Sequence, residues 1–323
     1  MKASYDPGLE VVTDQWLKLH RNENLFIDKE WLEKLAIHAI NTLNLTCYPD
    51  SGCFRLRKKL GQLYNVDPDQ VYIGNGSDEI LADLLHYLRP RFDQAVIPSL
   101  CYRVYPFLLE RYSYKQLPLE RASHDHLCIV DSPNSLTGET SAIFDIPSSF
   151  LIWDNVYGEF AHDILHSKQI GPSTVILRSF SKFYGLANLR IGYGIADAKI
   201  VHELMKRKDI FNVNGFAQEM ALLVLEHKHY FDSLLPKIDQ ARKTLQDELK
   251  ALGFVLSNSR ANFVWATHPF VSAESIQKHL EKAHIVVRRF SEPGLSSHLR
   301  ITVPPLDKIP QIIEVIRQCI DHS

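Results

Sequence analysis

The sequence predicts an α/β protein of two domains, a large one with a mainly parallel central sheet covered by helices and a smaller α/β one at the C-terminal end. Three observations carry that expectation. From about residue 55, helix-like and strand-like segments alternate, the pattern of a parallel sheet with crossover helices. The strand-like segments are short continuous apolar runs, as expected of strands covered on both faces. The 323 residues also exceed what one core usually serves, at roughly 100–200 residues per domain. Residues 1–25 are expected to join the small domain, 26–225 to form the large one and 226–323 the small one.

Taken in order, the expected strands are Val71–Ile73, Gln94–Ile97, Leu127–Val130, Phe150–Trp153, Thr174–Leu177 and Ile191–Ile195, each followed by a polar or glycine-bearing turn. Functional groups then belong at the carboxyl ends of the strands. A helical stretch with few breakers runs from about Ala217 to Leu252, with a break or kink expected near Pro236, and stops at Gly253. Beyond it lie strand-like Asn262–Ala266, helical Ala273–Ala283, strand-like Ile285–Arg288 and Leu299–Val303, and a last helix around Ile309–Ile320.

Composition narrows the function classes. Hydrophobic residues make up 45% and charged residues 23%, an ordinary globular balance, and a net charge of -2 gives no electrostatic reason to expect nucleic acid. Five scattered cysteines, Cys47, Cys53, Cys101, Cys128 and Cys319, form no C-x-x-C pair, so neither a disulfide framework nor a zinc site is expected. The histidine pairs His124/His126 and His227/His229 lack a third ligand at suitable spacing, so no metal is expected. Polar residues between Met1 and Val12 interrupt any signal-peptide core, and no run of about 18 apolar residues offers a membrane span. A cytoplasmic protein is expected.

The run Ser179-Phe180-Ser181-Lys182-Phe183-Tyr184-Gly185, followed by Arg190, supplies an amine able to attack an aldehyde, two hydroxyls and a guanidinium suited to a phosphate. Such a lysine needs its ammonium form disfavoured by desolvation or by a neighbouring positive charge. A bare S-x-S-K is weak evidence, but here it follows an apolar strand and precedes another. Ile73-Gly74-Asn75-Gly76-Ser77-Asp78-Glu79 leaves a strand through a glycine turn into a helix start, where unpaired amides can hold a phosphate. A helix capped by Ser77 or Asp78 explains the same residues equally well. Neither this turn nor Gly192-Tyr193-Gly194 has the third glycine of a dinucleotide fingerprint. Asp154 ends an apolar strand with Tyr157 three residues on; alone, the first reads as a helix cap and the second as a packing aromatic.

Taken together these segments resemble the histidinol-phosphate aminotransferase branch of the class I and II aminotransferases, which are fold-type I pyridoxal-phosphate enzymes. The resemblance covers almost the whole chain. Its parts are Leu19-His20-Arg21-Asn22-Glu23-Asn24, Cys47-Tyr48-Pro49-Asp50, the Gly74-to-Glu79 turn, Tyr102-Arg103-Val104-Tyr105, Asp154 with Tyr157, the Lys182 run, Asn212-Val213-Asn214, Ala261-Asn262-Phe263 and Leu299-Arg300-Ile301-Thr302-Val303, in the family's order.

The resemblance implies pyridoxal 5'-phosphate as cofactor, with Lys182 as the Schiff-base lysine and the base that moves the α-proton. It implies that Asp154 pairs with the pyridinium nitrogen and Tyr157 with the ring hydroxyl, that Gly76, Ser77, Asp78, Ser179, Ser181 and Arg190 hold the phosphate, and that Tyr102 stacks on the ring. Ser135 stands where the family has an asparagine that donates to the ring hydroxyl, a role that its neighbour Asn134 could take. Tyr48 would reach the phosphate of a neighbouring copy, which requires a homodimer. Asn22 and Arg300 would meet the substrate, Arg300 at the α-carboxylate, and Arg288 would face its far end. The implied function is amino transfer between a primary amino compound and a 2-oxo acid, with histidinol phosphate and 2-oxoglutarate the most family-like pair. Transamination of aromatic amino acids and decarboxylation of threonine phosphate are the alternatives on the same residues. A cofactor-sensing regulatory module would need a DNA-binding extension, for which the sequence before Asn22 gives no room.

Overall fold

The computed structural model describes residues 15–162 and 171–322, so the stretch from Met1 to Val12 lies outside the described residues. The chain divides into two compact units, one from residues 27–135 and 141–231 and the other from residues up to 26, 136–140 and 232 onward.

The first unit is built on seven strands: β2 (Val71–Gly74), β3 (Gln94–Ile97), β4 (Lys115–Pro118), β5 (Leu127–Asp131), β6 (Phe150–Asp154), β7 (Thr174–Ser179) and β8 (Gly192–Ala196). They lie in the order β2-β8-β7-β6-β5-β3-β4. The β3–β4, β3–β5, β5–β6 and β6–β7 pairs are parallel, whereas β8 runs antiparallel to both β7 and β2. Six strands therefore share one direction and β8 opposes them. Every expected strand of this sheet is present; the edge strand β4 was not anticipated. Its Lys-Gln-Leu-Pro sequence is mostly exposed and closes on a proline, which an edge tolerates because no ladder hydrogen bond is asked of its missing N–H.

Helices α1 (Lys29–Thr42), α2 (Phe54–Tyr64), α3 (Ser77–Leu88), α4 (Val104–Arg111), α5 (Ala198–Met205) and α6 (Gly215–Glu226) complete this unit. One buried cluster joins the apolar side of α3, through Ile80, Leu81, Leu84, Leu85 and Leu88, to Ala95, Ile97, Leu127, Ile129, Ile152, Val175 and Leu177 of the sheet. With both sides of each central strand filled, the continuous apolar runs are what the packing requires.

The second unit holds β1 (Leu17–Leu19), β9 (Val255–Leu256), β10 (Phe263–Thr267), β11 (Ile285–Arg289) and β12 (His298–Thr302) in the order β1-β11-β12-β10-β9, with α8 (Ala273–Lys282) and α9 (Ile309–Asp321). Its core gathers Val264, Ala266, Ile276, Leu280, Val287, Ile301, Ile312 and Ile316.

A break or kink was expected near Pro236, and the break lies elsewhere. The helical stretch ends at Glu226, restarts as α7 (Lys228–Ala251), and carries Pro236 inside that helix. Interior proline costs about 3 kcal/mol. Leu234, Ile238, Ala241, Leu245 and Leu249 recur at helical spacing around it and are all buried, and each full burial of a leucine or isoleucine is worth about 1.5–3 kcal/mol. The stripe outweighs the proline. Among the described residues, no helix is long and apolar enough to cross a membrane.

Candidate active site

Because β2, β5, β6 and β7 share a direction, their carboxyl ends meet at one edge of the sheet, and β8 begins at that edge. Gly76, Ser77, Asp78, Asn134, Ser135, Asp154, Tyr157, Ser179, Ser181, Lys182 and Arg190 all follow or end those strands. The topology brings these expected residues together.

Lys182 sits on a turn fixed from beneath. Ser181 donates its amide to Ser179 Oγ at 3.0 Å, Leu186 donates its amide to the Phe180 carbonyl at 2.9 Å, and the rings of Phe180, Phe183 and Tyr184 are fully buried. Phe183 meets Phe160 edge-on and Tyr184 meets Phe231 in the same way. With three of its neighbours locked in an aromatic pack, the lysine is held on a rigid base. Its Nζ lies 5.9 Å from the centre of the Tyr157 ring.

The glycine turn after β2 opens onto the first-turn amides of α3, which could hold an anion. Gly76 is the N-cap of α3 at φ 86, where a side chain is disfavoured, and it has none to cap with. The alternative of a cap by Ser77 or Asp78 is therefore set aside: both lie inside the helix. A Cβ on Gly76 would stand 2.8 Å from Arg190 Nη2, and one on Gly192 would stand 2.6 Å from the Ser77 amide nitrogen. Gly192 is needed for the two backbones to come this close, whereas at Gly76 the Cβ would meet only the far end of the Arg190 side chain and it is the positive φ that calls for glycine. Asp78 accepts from Arg190 Nη2 at 3.3 Å; burial pushes its carboxyl up while Arg190 draws it back down. On the other side of the turn Glu79 takes the Asn75 amide at 2.6 Å and the Asn212 side chain at 2.7 Å.

Two acidic residues stand side by side at neighbouring strand ends. Asp131 and Asp154 are paired in register at the ends of β5 and β6. Asp131 accepts the Tyr102 amide at 3.1 Å, the Ser135 amide at 2.8 Å and Asn134 Nδ2 at 3.1 Å. Asn134 Nδ2 also donates to the Leu100 carbonyl at 2.8 Å, so the Asn134 amide group ties the loop before α4 to β5. Asp154 accepts the Tyr105 hydroxyl at 2.7 Å and the Val156 amide at 3.3 Å. Burial pushes the Asp154 carboxyl up to about 7, with Asp131 and Asp78 adding to the rise and the Tyr105 hydrogen bond opposing it. It is not a helix cap, since the short helix that follows starts from Tyr157.

Sequence reasoning missed Arg178. This β7 residue is 2% exposed, donates from Nη1 to the Asn155 carbonyl at 3.2 Å and to Asn155 Oδ1, donates from Nη2 to the Tyr64 hydroxyl at 3.2 Å, and pairs with Glu159 at 3.4 Å. Asn155 and Glu159 flank Tyr157, so one guanidinium clamps the turn that carries it. The available signal was a charge directly after three apolar strand residues.

Tyr48 is 82% exposed with its ring stacked on Phe211 at 4.5 Å. In the second unit, Asn22 adopts φ 56, donates its amide to Thr302 Oγ1 at 3.0 Å and receives Asn262 Nδ2 on its carbonyl at 3.1 Å. Arg288 and Arg300 are directly opposed in the β11–β12 register. Both guanidiniums lie over Phe290, at 4.8 and 5.5 Å, and Arg300 Nη2 donates to the His20 carbonyl at 3.2 Å.

The family model for aminotransferase class I and II matches residues 139–316. A relative from Thiobacillus denitrificans, histidinol-phosphate aminotransferase 2, is 34% identical, covering 93% of this chain and 90% of the relative. Two solved structures share the fold. Histidinol-phosphate aminotransferase from Sinorhizobium meliloti in complex with pyridoxal-5'-phosphate has a TM-score of 0.83 at 19% identity, covering 95% of this chain and 91% of that one. L-threonine-O-3-phosphate decarboxylase from Porphyromonas gingivalis has a TM-score of 0.84 at 21% identity, covering 94% and 100%. With a family match over more than half its length and a relative this similar across nearly all of it, the chain belongs to the class I and II aminotransferases.

Proposed function

We propose that this aminotransferase uses pyridoxal 5'-phosphate to move an amino group from histidinol phosphate, or a closely similar phosphorylated amine, to 2-oxoglutarate, as a cytoplasmic homodimer. The observation that carries this reading is the convergence of Lys182, Asp154 and the Gly76-to-Asp78 amides on one sheet edge. The residues fit the cofactor: the cradle that a Cβ at Gly76 or Gly192 would fill suits a phosphate, with Arg190 beside it and the amides of Ser77 and Asp78 at the positive end of α3. Ser179 and Ser181 border the same cradle, and Tyr102 comes from the loop anchored on Asp131. Bound there, pyridoxal phosphate supplies an electron sink for the charge that develops at the donor's α-carbon. Lys182 would form the covalent link and carry the proton, Asp154 would hold the ring nitrogen's charge, and Tyr157 would donate to the ring hydroxyl. Asn134 has both amide hydrogens directed at Leu100 and Asp131, and the Ser135 side chain is likewise hydrogen-bonded to Asp131, so either would have to turn from its present partner to donate to the ring hydroxyl.

Substrate anions belong to the second unit. Like charges directly opposed across two strands destabilise the pair, and an anionic substrate offsets that cost at Arg288 and Arg300. Arg300 takes the α-carboxylate of 2-oxoglutarate, Arg288 the donor's phosphate or the distal carboxylate, and Asn22 the reacting end. Arg288→Ala should lower kcat/KM for histidinol phosphate roughly tenfold or more beyond its effect on dephosphorylated histidinol, since a hydrogen bond to a charged group is worth about 1.5–3 kcal/mol. Steady-state kinetics with both donors checks this. Equal losses would favour the aromatic aminotransferase, and carbon dioxide release from threonine phosphate the decarboxylase.

The dimer is supported by an exposed apolar surface: Tyr48 and Phe211 stack while both open to solvent, and Leu45, Phe54 and Ile210 nearby in sequence are exposed as well. Tyr48→Phe should weaken cofactor retention by about 1.5–3 kcal/mol by removing one hydrogen bond to the partner's phosphate. Sedimentation should find twice the chain mass. Full activity from a strictly monomeric species would refute the shared site.

A further inference from the structure

The hydrogen bond between α4 and β6 has no role in the family resemblance set out above. Tyr105 is fully buried, its hydroxyl lies 2.7 Å from Asp154 Oδ2, and its ring meets Tyr102 edge-on at 5.7 Å. Asp154 is 3% exposed. The charged groups beside it, Asp131 on β5 and Asp78 on α3, bear the same sign, and both raise the cost of its anion. Asp131 cannot relieve it, because its oxygens are already taken by Tyr102, Ser135 and Asn134. The Val156 amide is the second donor to Asp154, and at 3.3 Å it is long. One strong donor remains.

We propose that Tyr105 is the positioning residue that biases Asp154 towards its ionised form, and through it favours the protonated ring nitrogen of the cofactor. The catalytic consequence rests on the aminotransferase reading above. A phenol suits the task. Burial, with Asp154, Asp131 and Cys101 around it, pushes the Tyr105 hydroxyl well above its ordinary pKa, so it stays a neutral donor throughout the working range. A cationic partner would stabilise the same carboxylate but would compete with the ring nitrogen for its charge; a neutral donor fixes one oxygen and leaves the negative charge for the ring. The edge-on contact with Tyr102 and the Tyr102 amide bound to Asp131 tie this donor to the same loop that approaches the ring.

The test compares wild type with Tyr105→Phe, which keeps the ring packing and removes only the donor. In cofactor-free protein carrying 13C-labelled aspartate, with the Asp154 resonance assigned through Asp154→Asn, the Asp154 midpoint should rise by about one pH unit in Tyr105→Phe, the tenfold change a typical hydrogen bond corresponds to. In the holoenzyme loaded with 15N-pyridoxal phosphate, the ring-nitrogen signal should move towards that of the neutral ring. A merely structural tyrosine would shift neither signal in this direction. A midpoint that stays or falls overturns the proposal. A midpoint that rises beside an unresponsive ring nitrogen overturns instead the placement of the ring against Asp154, and with it the catalytic consequence.

Discussion

Lys182→Ala is expected to lower turnover by about ten-thousand-fold or more while leaving the protein folded and still able to bind pyridoxal phosphate reversibly. The loss is large because one amine has two tasks, the covalent link and the proton transfer, and a positioned acid–base group alone contributes about a hundred- to ten-thousand-fold. The fold should survive because the turn is held by its neighbours: Phe180, Phe183 and Tyr184 are buried, while the Ser181 and Leu186 amides are bonded without the lysine side chain. Single-turnover kinetics measures the first effect and thermal unfolding the second. In wild type, borohydride should fix the cofactor to a single peptide containing Lys182. A reduced label on any other lysine would sink the assignment.

Much of this site could be read in the chain because its parts are local. Asp154, Ser179 and the Gly74-to-Asp78 turn each stand at the end of an apolar run, and the structure places each at the end of a strand or just after one. Direction is a different matter. Nothing in the apolar run Ile191–Ile195 tells a parallel strand from an antiparallel one, yet it is the reversal of β8 that starts this strand beside the Ser77 amide and makes Gly192 necessary. The break at His227 was hidden for a related reason: local propensity points to Pro236, but the buried stripe from Leu234 to Leu249 decides. Tyr105 belonged to a recognised segment, whereas its partner lies 49 residues away and only the fold brings them together.

Arg178 is the residue the sequence hid most completely, and its removal should have the largest effect on stability. Its side chain is 3% exposed and that of Glu159 is 9% exposed, so neither charge has water to turn to if the other is lost. Burial is the largest influence and works against the guanidinium's charge, but Glu159, Tyr64 and Tyr193 together outweigh it and the group stays charged. Arg178→Met should therefore cost about 3–5 kcal/mol, the usual penalty for leaving one member of a buried pair behind. Arg178→Met with Glu159→Gln should recover a substantial part, because the buried carboxylate that lost its guanidinium is then neutral even though the clamp on Asn155 and Tyr64 is not restored. Urea unfolding of the three proteins measures both terms. The double variant should nonetheless remain a poor enzyme: Tyr157 lies between Asn155 and Glu159, and a turn released from Arg178 no longer fixes its hydroxyl. Stability and turnover should thus separate, the first recovering without the second. A double variant as unstable as Arg178→Met would mean that the fork of hydrogen bonds, and not the charge, is what the fold requires of Arg178.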